Sequence, residues 1–464
     1  MKPRIYDTII TKSLKDFRQM VFLSGPRQVG KTTLAKGHAN HYLNWDNEDV
    51  RRLILEGQQT IGVHCDLERV HARMPVIAFD EIHKYARWKQ FLKGFFDEYE
   101  SRCRVIATGS ARMDVYKRGG DSMMGRYFPY RVHPLSVAEL ITTKLPGERI
   151  VRQPLELSKG DWNALCEFGG FPEPFTKRSS SFSTRWNRLR REQLVQTDIR
   201  DLTRITEIDR LSVLTEILSN RSGEQLAYAS LASEIKVDEK TVKSWVVTLK
   251  HLFYGFEVRP WSKNIENSIR KMPKWFLRDW ALVKDAGKRF ETMVACHLLK
   301  AVEMWTDLGY GEFELCYLRD KRQHEVDFVV VRDRKPWFLV EAKKGEDRLS
   351  PELARFQRLT GAAHAFQAVY DVPFAERDLF EIAVAEKIGD DRIPDKFDLG
   401  IFPGARRHDR RCFKLIAAVD DVNRAGEAGQ KDRLFHRGIA AADNGDRHIF
   451  KEGAFTGGAG RNAV

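Results

Sequence analysis

A glycine-rich loop near the start of the sequence has the residue types and spacing that bind phosphate. Residues 25–32, GPRQVGKT, match the pattern GxxxxGK(S/T) at every fixed position. Glycines let the backbone turn tightly, so that successive amides point at phosphate oxygens. Lys31 can neutralise the β- and γ-phosphates of ATP, and the Thr32 hydroxyl can ligate magnesium. The predicted cofactor-binding residues are the loop and the first turn after it: Gly25, Pro26, Arg27, Gln28, Val29, Gly30, Lys31, Thr32 and Thr33.

An apolar run that ends in two carboxylates supplies the acidic partner that such a loop needs. Residues 75–81, PVIAFDE, have the composition of a buried parallel strand, and open α/β sheets bind their ligands at the carboxyl ends of strands. Asp80 is predicted to hold Mg²⁺ together with Thr32, and Glu81 to orient and activate the attacking water. The alternative is a strand that enters a solvated loop.

Two more candidates follow along the chain. The strand-like RVIATGS ends in small polar residues, so that Ser110 or Thr108 can sense the γ-phosphate; the alternative is a strand that turns at glycine. Arg126, at the start of GRYFPYRVHPLSVAEL, can reach a phosphate in its own or a neighbouring subunit; the alternative is an exposed structural arginine. Ser136 and Glu139 in the same stretch predict a capping box at a helix start.

A second group of acids with a lysine lies in EVDFVVV and WFLVEAK, two apolar segments with turn residues between them. This composition predicts a β-hairpin. A three- or five-residue loop would put Asp327 opposite Glu341 on one face, whereas a two-residue loop would put them on opposite faces. In the first register the two carboxylates could share a divalent cation, with Lys343 beside them.

The motifs together resemble a family. SGPRQVGKTTL, VIAFDEIHKYARWKQFLKGFFDEY, VIATGSAR and GRYFPYRVHPLSVAEL are similar to the prokaryotic AAA-like ATPases that carry a C-terminal domain of unknown function, number 4143. FGGFPEPF, at 168–175, resembles the same family's glycine-rich signature, and the resemblance covers about residues 1–375. It implies a P-loop sheet in which the Asp80 strand does not neighbour the loop strand. It also implies that Asp80 and Glu81 serve magnesium and water, with Ser110 as the sensor. His83 departs from the family, which often has glutamine there.

Asp followed by Glu-x-Lys across paired strands also resembles the PD-(D/E)xK nuclease core. The resemblance implies that Asp327 and Glu341 bind magnesium and that Lys343 positions or activates the attacking water. Glu291 would be the additional acid that this fold often carries on its first helix. The alternative is a degenerate nuclease fold that retains some acids and works as a binding module.

These sites must be positioned by more than one domain, because 464 residues exceed one ordinary core. The fold class predicted is α/β: a P-loop parallel sheet with helices on both faces, then a winged helix-turn-helix and a restriction-nuclease-like α/β domain. The predicted boundaries, in chain order, are an AAA-like P-loop ATPase domain at 1–140, a helical linker at 141–205, a winged-helix-like segment at 206–278, a nuclease-like domain at 279–387 and a mostly disordered tail at 388–464.

Residues 211–260 predict two short helices, a longer third helix that begins after Asp238, and a strand. This is the element order of a winged helix, whose third helix can enter the major groove of DNA. The residues nearest the bases would be Lys240, Thr241, Lys243 and Ser244. A protein-packing module is the alternative. Arginines between residues 185 and 204 could follow a phosphate backbone or form a solvated helix face.

Charge and composition predict the partners and the compartment. The net charge of +13 favours a polyanion such as double-stranded DNA, and a protein bound through the C-terminal half is the alternative partner. No apolar run is long enough for a membrane span, and six scattered cysteines fit a cytoplasmic protein. We therefore expect a magnesium-dependent ATPase coupled to a DNA-interacting or nuclease-like half, and an oligomer would let Arg126 act across an interface. The alternative function is a nucleotide-dependent protein-binding switch that does not cleave DNA.

Overall fold

The computed structural model describes residues 2–109, 123–145, 155–194, 207–262, 272–345 and 349–370, together with three short strands at 375–376, 452–456 and 461–462. Within these residues, two separate sheets and the helices around them form the bulk of the molecule. None of the described helices has the length and apolarity that crossing a bilayer requires.

Five parallel strands form the first sheet: β1 (Met20–Ser24), β2 (His41–Asn44), β3 (Val76–Asp80), β4 (Arg104–Gly109) and β5 (Tyr127–Arg131). Their spatial order is β2-β3-β4-β1-β5. β4 therefore lies between the strand that precedes the glycine loop and the strand that ends at Asp80, as the family resemblance implies. All five residues of β1 are buried, which is expected of a parallel strand covered on both faces.

Helices cover both faces of this sheet: α1 (Ile5–Asp16), α2 (Lys31–His38), α3 (Glu48–Glu56), α4 (Gln58–His64) and α5 (Trp88–Tyr99). On one face, α1 and α2 pack Ile9 and Leu34 against Val21. On the other face, Phe79 of β3 meets Phe95 of α5 with ring centroids 5.2 Å apart. This arrangement confirms the predicted α/β fold class of the N-terminal domain.

Four helices follow the first sheet: α6 (Val137–Ile141), α7 (Lys159–Phe168), α8 (Pro172–Lys177) and α9 (Ser180–Gln193). The segment predicted as a linker is packed into both halves of the molecule. Trp162 joins the core of the second sheet, and Trp186 joins the core under α1. The chain packs tightly at the glycine-rich signature, residues 168–175. A Cβ atom on Gly170 would lie 2.6 Å from the carbonyl oxygen of Leu135 and 2.5 Å from the ring of Trp280.

Three helices and a strand pair come next: α10 (Ile208–Asn220), α11 (Tyr228–Ile235), α12 (Glu239–His251), β7 (Gly255–Pro260) and β8 (Lys274–Leu277). We call residues 208–277 the helix-hairpin segment. Its order agrees with the winged-helix prediction, and Leu214, Trp245 and Leu249 lie in its own core. However, β7 also pairs in parallel with the strand that follows β8 in the chain. The predicted boundary at residue 278 therefore divides one continuous sheet.

The second sheet has eight strands, which include β7, β8 and six others: β9 (Phe313–Arg319), β10 (Glu325–Arg332), β11 (Lys335–Lys343), β12 (His364–Val369), β13 (Ala375–Glu376) and β14 (Glu452–Thr456). The order is β13-β14-β12-β11-β10-β9-β7-β8. Two helices pack on it, α13 (Ala286–Asp307) and α14 (Pro351–Thr360). A separate strand pair joins β6 (Leu155–Glu156) to β15 (Arg461–Asn462).

The turn between β10 and β11 differs from both loop lengths that would align the acids. It has two residues, Asp333 and Arg334, both with positive φ. Such a loop alone would separate Asp327 and Glu341, but the register shifts between Val330 and Val331 and leaves Trp337 as an extra residue. The shift moves the pairing by one position, so Asp327 again lies opposite Glu341. The expectation that a two-residue loop places these acids on opposite faces is therefore wrong.

The predicted disordered tail, 388–464, lies outside the described residues except for β14 and β15. Strand β14 pairs in parallel with β12, so this part of the tail is ordered sheet rather than disordered chain. The predicted strand KLIAAV, residues 414–419, lies outside the described residues.

Candidate nucleotide-binding site

The glycine loop turns sharply at the carboxyl end of β1. A Cβ atom at Gly25 would collide with the carbonyl oxygen of Val132, and Gly30 has a φ of +103°. Both positions therefore require glycine. The loop is held against the chain that follows β5, where the amide of Val132 donates to the Ser24 carbonyl at 2.7 Å.

Lys31 begins α2 and points back under the loop. Its side chain is almost fully buried, and Nζ donates to the carbonyls of Gly25 at 2.9 Å and Pro26 at 2.8 Å. Gly30 is the N-cap and offers no side-chain acceptor to the first amides of the helix. The loop thus gathers an ammonium group and the positive end of a helix, which is the environment that phosphate groups prefer.

Asp80 ends β3 and collects three hydroxyl groups. Its carboxylate accepts from Thr32 Oγ1 at 2.9 Å, and also from the hydroxyls of Thr108 and Tyr42. These residues come from α2, β4 and β2, whose ends meet at the same edge of the sheet. The structure therefore brings Thr32 and Asp80, the two predicted magnesium ligands, within hydrogen-bond distance of each other.

Glu81 leaves the strand in a left-handed conformation, with a φ of 55°. This is a costly backbone for a residue other than glycine, and such residues concentrate at functional sites. Its amide donates to Thr108 Oγ1 at 3.2 Å, so Thr108 contacts both acidic residues. Burial lowers the pKa of nearby His83 to about 4, so this imidazole is neutral at pH 7.

Of the two candidate sensors, the structure locates Thr108 in β4, beside Asp80, and it also locates Arg126. Ser110 lies outside the described residues. Arg126 precedes β5, whose Tyr127 pairs with Met20 at the amino end of β1, and Arg126 pairs with Asp97 at 2.6 Å. It is about 13 Å along the strand from the loop edge. The prediction that Arg126 reaches a phosphate of its own subunit is therefore wrong; a role across an interface stays a prediction.

Two residues at this site gave no signal in the sequence. Tyr42 donates to Asp80, and burial together with that carboxylate raises the pKa of its phenol. Arg4 is buried and donates to the Val29 carbonyl in the loop at 2.8 Å and to Glu139 at 2.7 Å. Neither role is predictable locally, because each contact joins residues far apart in sequence.

The residues present fit ATP and magnesium. The loop offers amides and a buried ammonium to phosphate, and a hydroxyl beside a carboxylate is a suitable pair of oxygen ligands for Mg²⁺. This fit rests on the Thr32–Asp80 contact and on the close packing of Gly25 against the Val132 carbonyl.

The second predicted site is also assembled at one place. The amide of Asp327 donates to Glu341 at 3.2 Å, and Lys343 pairs with Glu341 at 3.0 Å. Glu291 of α13 joins them through Lys274 of β8, at 3.2 Å. Burial and the charge of Asp327 raise the pKa values of Glu291 and Glu341.

The sequence analysis did not predict Lys274 or its partner Glu325. Lys274 Nζ lies 2.5 Å from Glu325 and 3.6 Å from Asp327, and the acid charges raise its pKa although burial opposes them. Across the part of the chain that the structure describes, no group of three or more His, Cys, Asp or Glu side chains is arranged to hold a metal ion. The Lys274 ammonium group, close to Glu291 and Asp327, is what does not fit the divalent ion that the nuclease resemblance implies.

Different parts of the chain match different family models. Residues 17–141 match the family model of an AAA domain (AAA_14), and residues 286–374 match a domain of unknown function, DUF4143. The chain carries an AAA domain and a DUF4143 domain. Residues 159–291, between and partly within them, match a further domain of unknown function, DUF8612. The AAA domain, with its phosphate loop, is a nucleotide-binding domain of the P-loop ATPase type.

Curated relatives share the sequence at low identity. An uncharacterized protein of Mycobacterium tuberculosis, Rv2008c, is 24% identical over 270 residues, which are 57% of this chain and 55% of the relative. An uncharacterized protein of Methanocaldococcus jannaschii, MJ1637, is 19% identical over 293 residues, 56% of this chain and 60% of the relative. The matched region spans little more than half the length of these relatives.

Several solved structures are similar in part. The Thermotoga maritima RuvB Holliday junction branch migration motor is 16% identical, and the alignment covers 55% of this chain and 87% of that one with a TM-score of 0.27. The Aeropyrum pernix ORC1 protein in complex with DNA is 13% identical, with 62% and 90% covered and a TM-score of 0.28. TM-scores this low do not establish that the whole chains share a fold.

Proposed function

We propose that this protein is a magnesium-dependent ATP hydrolase whose AAA domain controls a DNA-interacting C-terminal half. The observation that carries the proposal is the contact between Thr32 and Asp80, which joins the phosphate loop to the acidic strand at 2.9 Å. The contact places the loop and the carboxylate close enough to serve one nucleotide.

Each residue has a role that follows from its position. The loop amides and Lys31 bind the phosphates, and Thr32 with Asp80 holds magnesium, which offsets phosphate charge when bound. Glu81 orients the attacking water and accepts its proton. Thr108 positions both acids, because its hydroxyl contacts the Asp80 carboxylate and the Glu81 amide.

A buried chain of polar contacts supports coupling between the halves. Arg4 links the Val29 carbonyl in the loop to Glu139, and Glu139 also accepts from Lys300 of α13. Because these groups are buried, a shift of the loop at Val29 must either move Arg4 or break its hydrogen bond. Helix α13 packs against the second sheet, so the loop and that sheet share one set of contacts.

A second set of contacts joins the end of β5 to the same helix. Arg131 pairs with Asp307 and lies 3.3 Å from Glu303, while His133 lies 2.7 Å from Glu303. Burial lowers the pKa of His133 to about 4, although Glu303 opposes the shift. Nucleotide binding next to β5 thus has two routes to α13.

Exposed cationic residues support DNA as the partner. Lys240 and Lys243 lie on the outer face of α12, and Arg185 and Arg188 lie on the outer face of α9. Such residues can contact phosphate backbones, and the chain as a whole has a net charge of +13.

The test is ATP hydrolysis in magnesium buffer with and without double-stranded DNA, for wild type and Lys31→Ala. We expect DNA to change the wild-type rate, and the variant to lose nucleotide-dependent thermal stabilisation. Unchanged ATP binding by Lys31→Ala would refute the nucleotide site. DNA affinity that does not fall with salt would refute the DNA partner, because phosphate contacts release counterions.

One observation favours a second candidate, a nucleotide-dependent protein-binding switch that does not cleave DNA. Lys274 lies within hydrogen-bond distance of Glu291, an acid of the predicted nuclease site, and of Glu325 beside that site. If the protein binds no DNA but holds a protein partner only with ATP, this candidate replaces the first.

A further inference from the structure

Lys274 lies at the centre of the acids that the nuclease resemblance assigns to a metal ion. Its Nζ is 3.2 Å from Glu291 Oε1, 2.5 Å from Glu325 Oε1 and 3.6 Å from Asp327 Oδ1. An ammonium group has three donors and no acceptor, so one lysine can face three carboxylates at once. These acids come from α13 and β10, and the lysine comes from β8 in the helix-hairpin segment.

The surrounding chain holds this lysine in place. Lys274 is 5% exposed, and its Nζ lies 5.6 Å from the centre of the Tyr317 ring. Gln225 forms a bridge with Lys274 and also donates to the Tyr317 hydroxyl at 3.0 Å. A Cβ atom at Gly223 would lie 2.9 Å from Glu291 Oε2, so the chain before the bridge packs directly on this acid.

We propose that Lys274 is a built-in cation that takes the place of a divalent metal ion in this acid cluster. Two of the three acids that it faces, Glu291 and Asp327, are those that the nuclease pattern would use as ligands. A metal ion in the same space would face a buried positive charge, and like charges repel strongly where water is scarce.

The lysine is also anchored through the sheet. β8 pairs with β7 over four positions, and Lys274 pairs there with Val258. Moving its side chain out of the cluster would leave Glu291 and Asp327 without their counter-ion, which is costly, while Glu325 would keep Arg319 at 3.5 Å. The cluster is therefore a structural ion-pair centre, and metal-dependent phosphodiester cleavage is not its chemistry.

The other motif lysine does not change this conclusion. Lys343 pairs with Glu341, whose second oxygen accepts from the Asp327 amide. The second carboxylate oxygen of Asp327 accepts from the Ala342 amide at 2.9 Å. Both hairpin acids thus have protein partners on the strand opposite them.

The test is the number of Mn²⁺ ions bound by the full chain without nucleotide, measured by titration calorimetry and by electron paramagnetic resonance. Wild type and Asp327→Asn are expected to bind the same number, because this cluster holds no ion in either. Lys274→Met removes the charge and keeps the length of the side chain. It should bind one additional Mn²⁺ per chain, and the double variant Lys274→Met/Asp327→Asn should lose that ion.

Two results would overturn the proposal. The first is one fewer Mn²⁺ in Asp327→Asn than in wild type, which would show a metal site already present; this comparison needs no lysine variant. The second is a folded Lys274→Met protein that gains no ion. Circular dichroism of each variant shows whether it is folded, and Lys274→Gln replaces the methionine variant if that one is not.

Discussion

Lys300 of α13 donates to the carboxylate of Glu139, and this ion pair crosses from the AAA domain into the helix that supports the second sheet. Both side chains are nearly inaccessible to water. Although burial alone would raise the pKa of Glu139, the charges of Arg4 and Lys300 lower it to about 2. The carboxylate is therefore ionised at neutral pH and holds two cations at the junction between the halves.

Replacing Glu139 tests this junction. Glu139→Gln would leave Arg4 and Lys300 as buried charges without their acid, and we expect the free energy of unfolding to fall by about 3 kcal/mol. Denaturation with urea measures the change. Asp16→Asn is the matched control, because Asp16 and Lys12 form an exposed pair at 3.9 Å whose loss should have little effect.

A double-mutant cycle separates the pair from its surroundings. Glu139→Gln, Lys300→Met and their combination should give a coupling energy above about 1 kcal/mol. Additive effects would mean that the contact does not stabilise the protein.

Glu81→Gln should separate binding from hydrolysis. The amide keeps the shape of the side chain but cannot accept a proton, so kcat should fall by about 100-fold or more while ATP affinity stays the same. Steady-state ATPase rates and nucleotide titration measure the two quantities. A variant that retains the wild-type kcat would exclude Glu81 as the general base.

Thr108 and Tyr42 form a matched pair of variants, because both donate to Asp80 but only Thr108 also contacts Glu81. We expect Thr108→Val to lower kcat on the order of 10- to 100-fold, since a small displacement of a catalytic group has a large kinetic effect. Tyr42→Phe should lower kcat much less. Equal losses in the two variants would show that the Glu81 contact has no part in positioning.

His297 predicts a dependence of stability on pH. Its Nε2 accepts from the Val137 amide at 3.1 Å and its Nδ1 donates to the Met293 carbonyl at 2.7 Å, so the ring is neutral. Burial lowers its pKa to about 4. Between pH 6.5 and 4 the unfolded chain binds a proton that the folded chain does not, so stability falls as the pH falls, by up to about 3 kcal/mol.

Unfolding measured from pH 7 to pH 4 checks this direction. His297→Gln has no group that titrates in this range, so its stability should depend less on pH than that of the wild type. If the variant keeps the wild-type pH dependence of stability, that dependence arises from the other buried histidines and not from His297.

The phosphate loop and the sheet around it were predictable because the relevant residues are local. The loop pattern and the apolar run before Asp80 each lie within one short segment, and parallel strands bring their carboxyl ends to one edge. Glu139 shows where this reasoning ends. Ser136 does cap α6, but the Glu139 carboxylate bonds to Arg4 and Lys300 instead of completing the capping box.

The second site shows the same limit. The pairing of Asp327 with Glu341 depends on a shift near Trp337, which no turn rule predicts from a two-residue loop. Lys274 begins an apolar strand and has no sequence feature that marks it as the partner of acids on α13 and β10. Both depend on how distant segments meet, and the sequence pattern contains no information on that.

The pairing of β7 with β9 sets how the C-terminal half can move. Because β7 of the helix-hairpin segment pairs with β9 of the DUF4143 domain at Arg259–Cys316 and Pro260–Tyr317, we expect the two to move together. A conformational change caused by ATP binding would therefore move α10, α11 and α12 together with the acid cluster. We expect a hinge between the halves at the contacts that Glu139 and Arg131 make with α13.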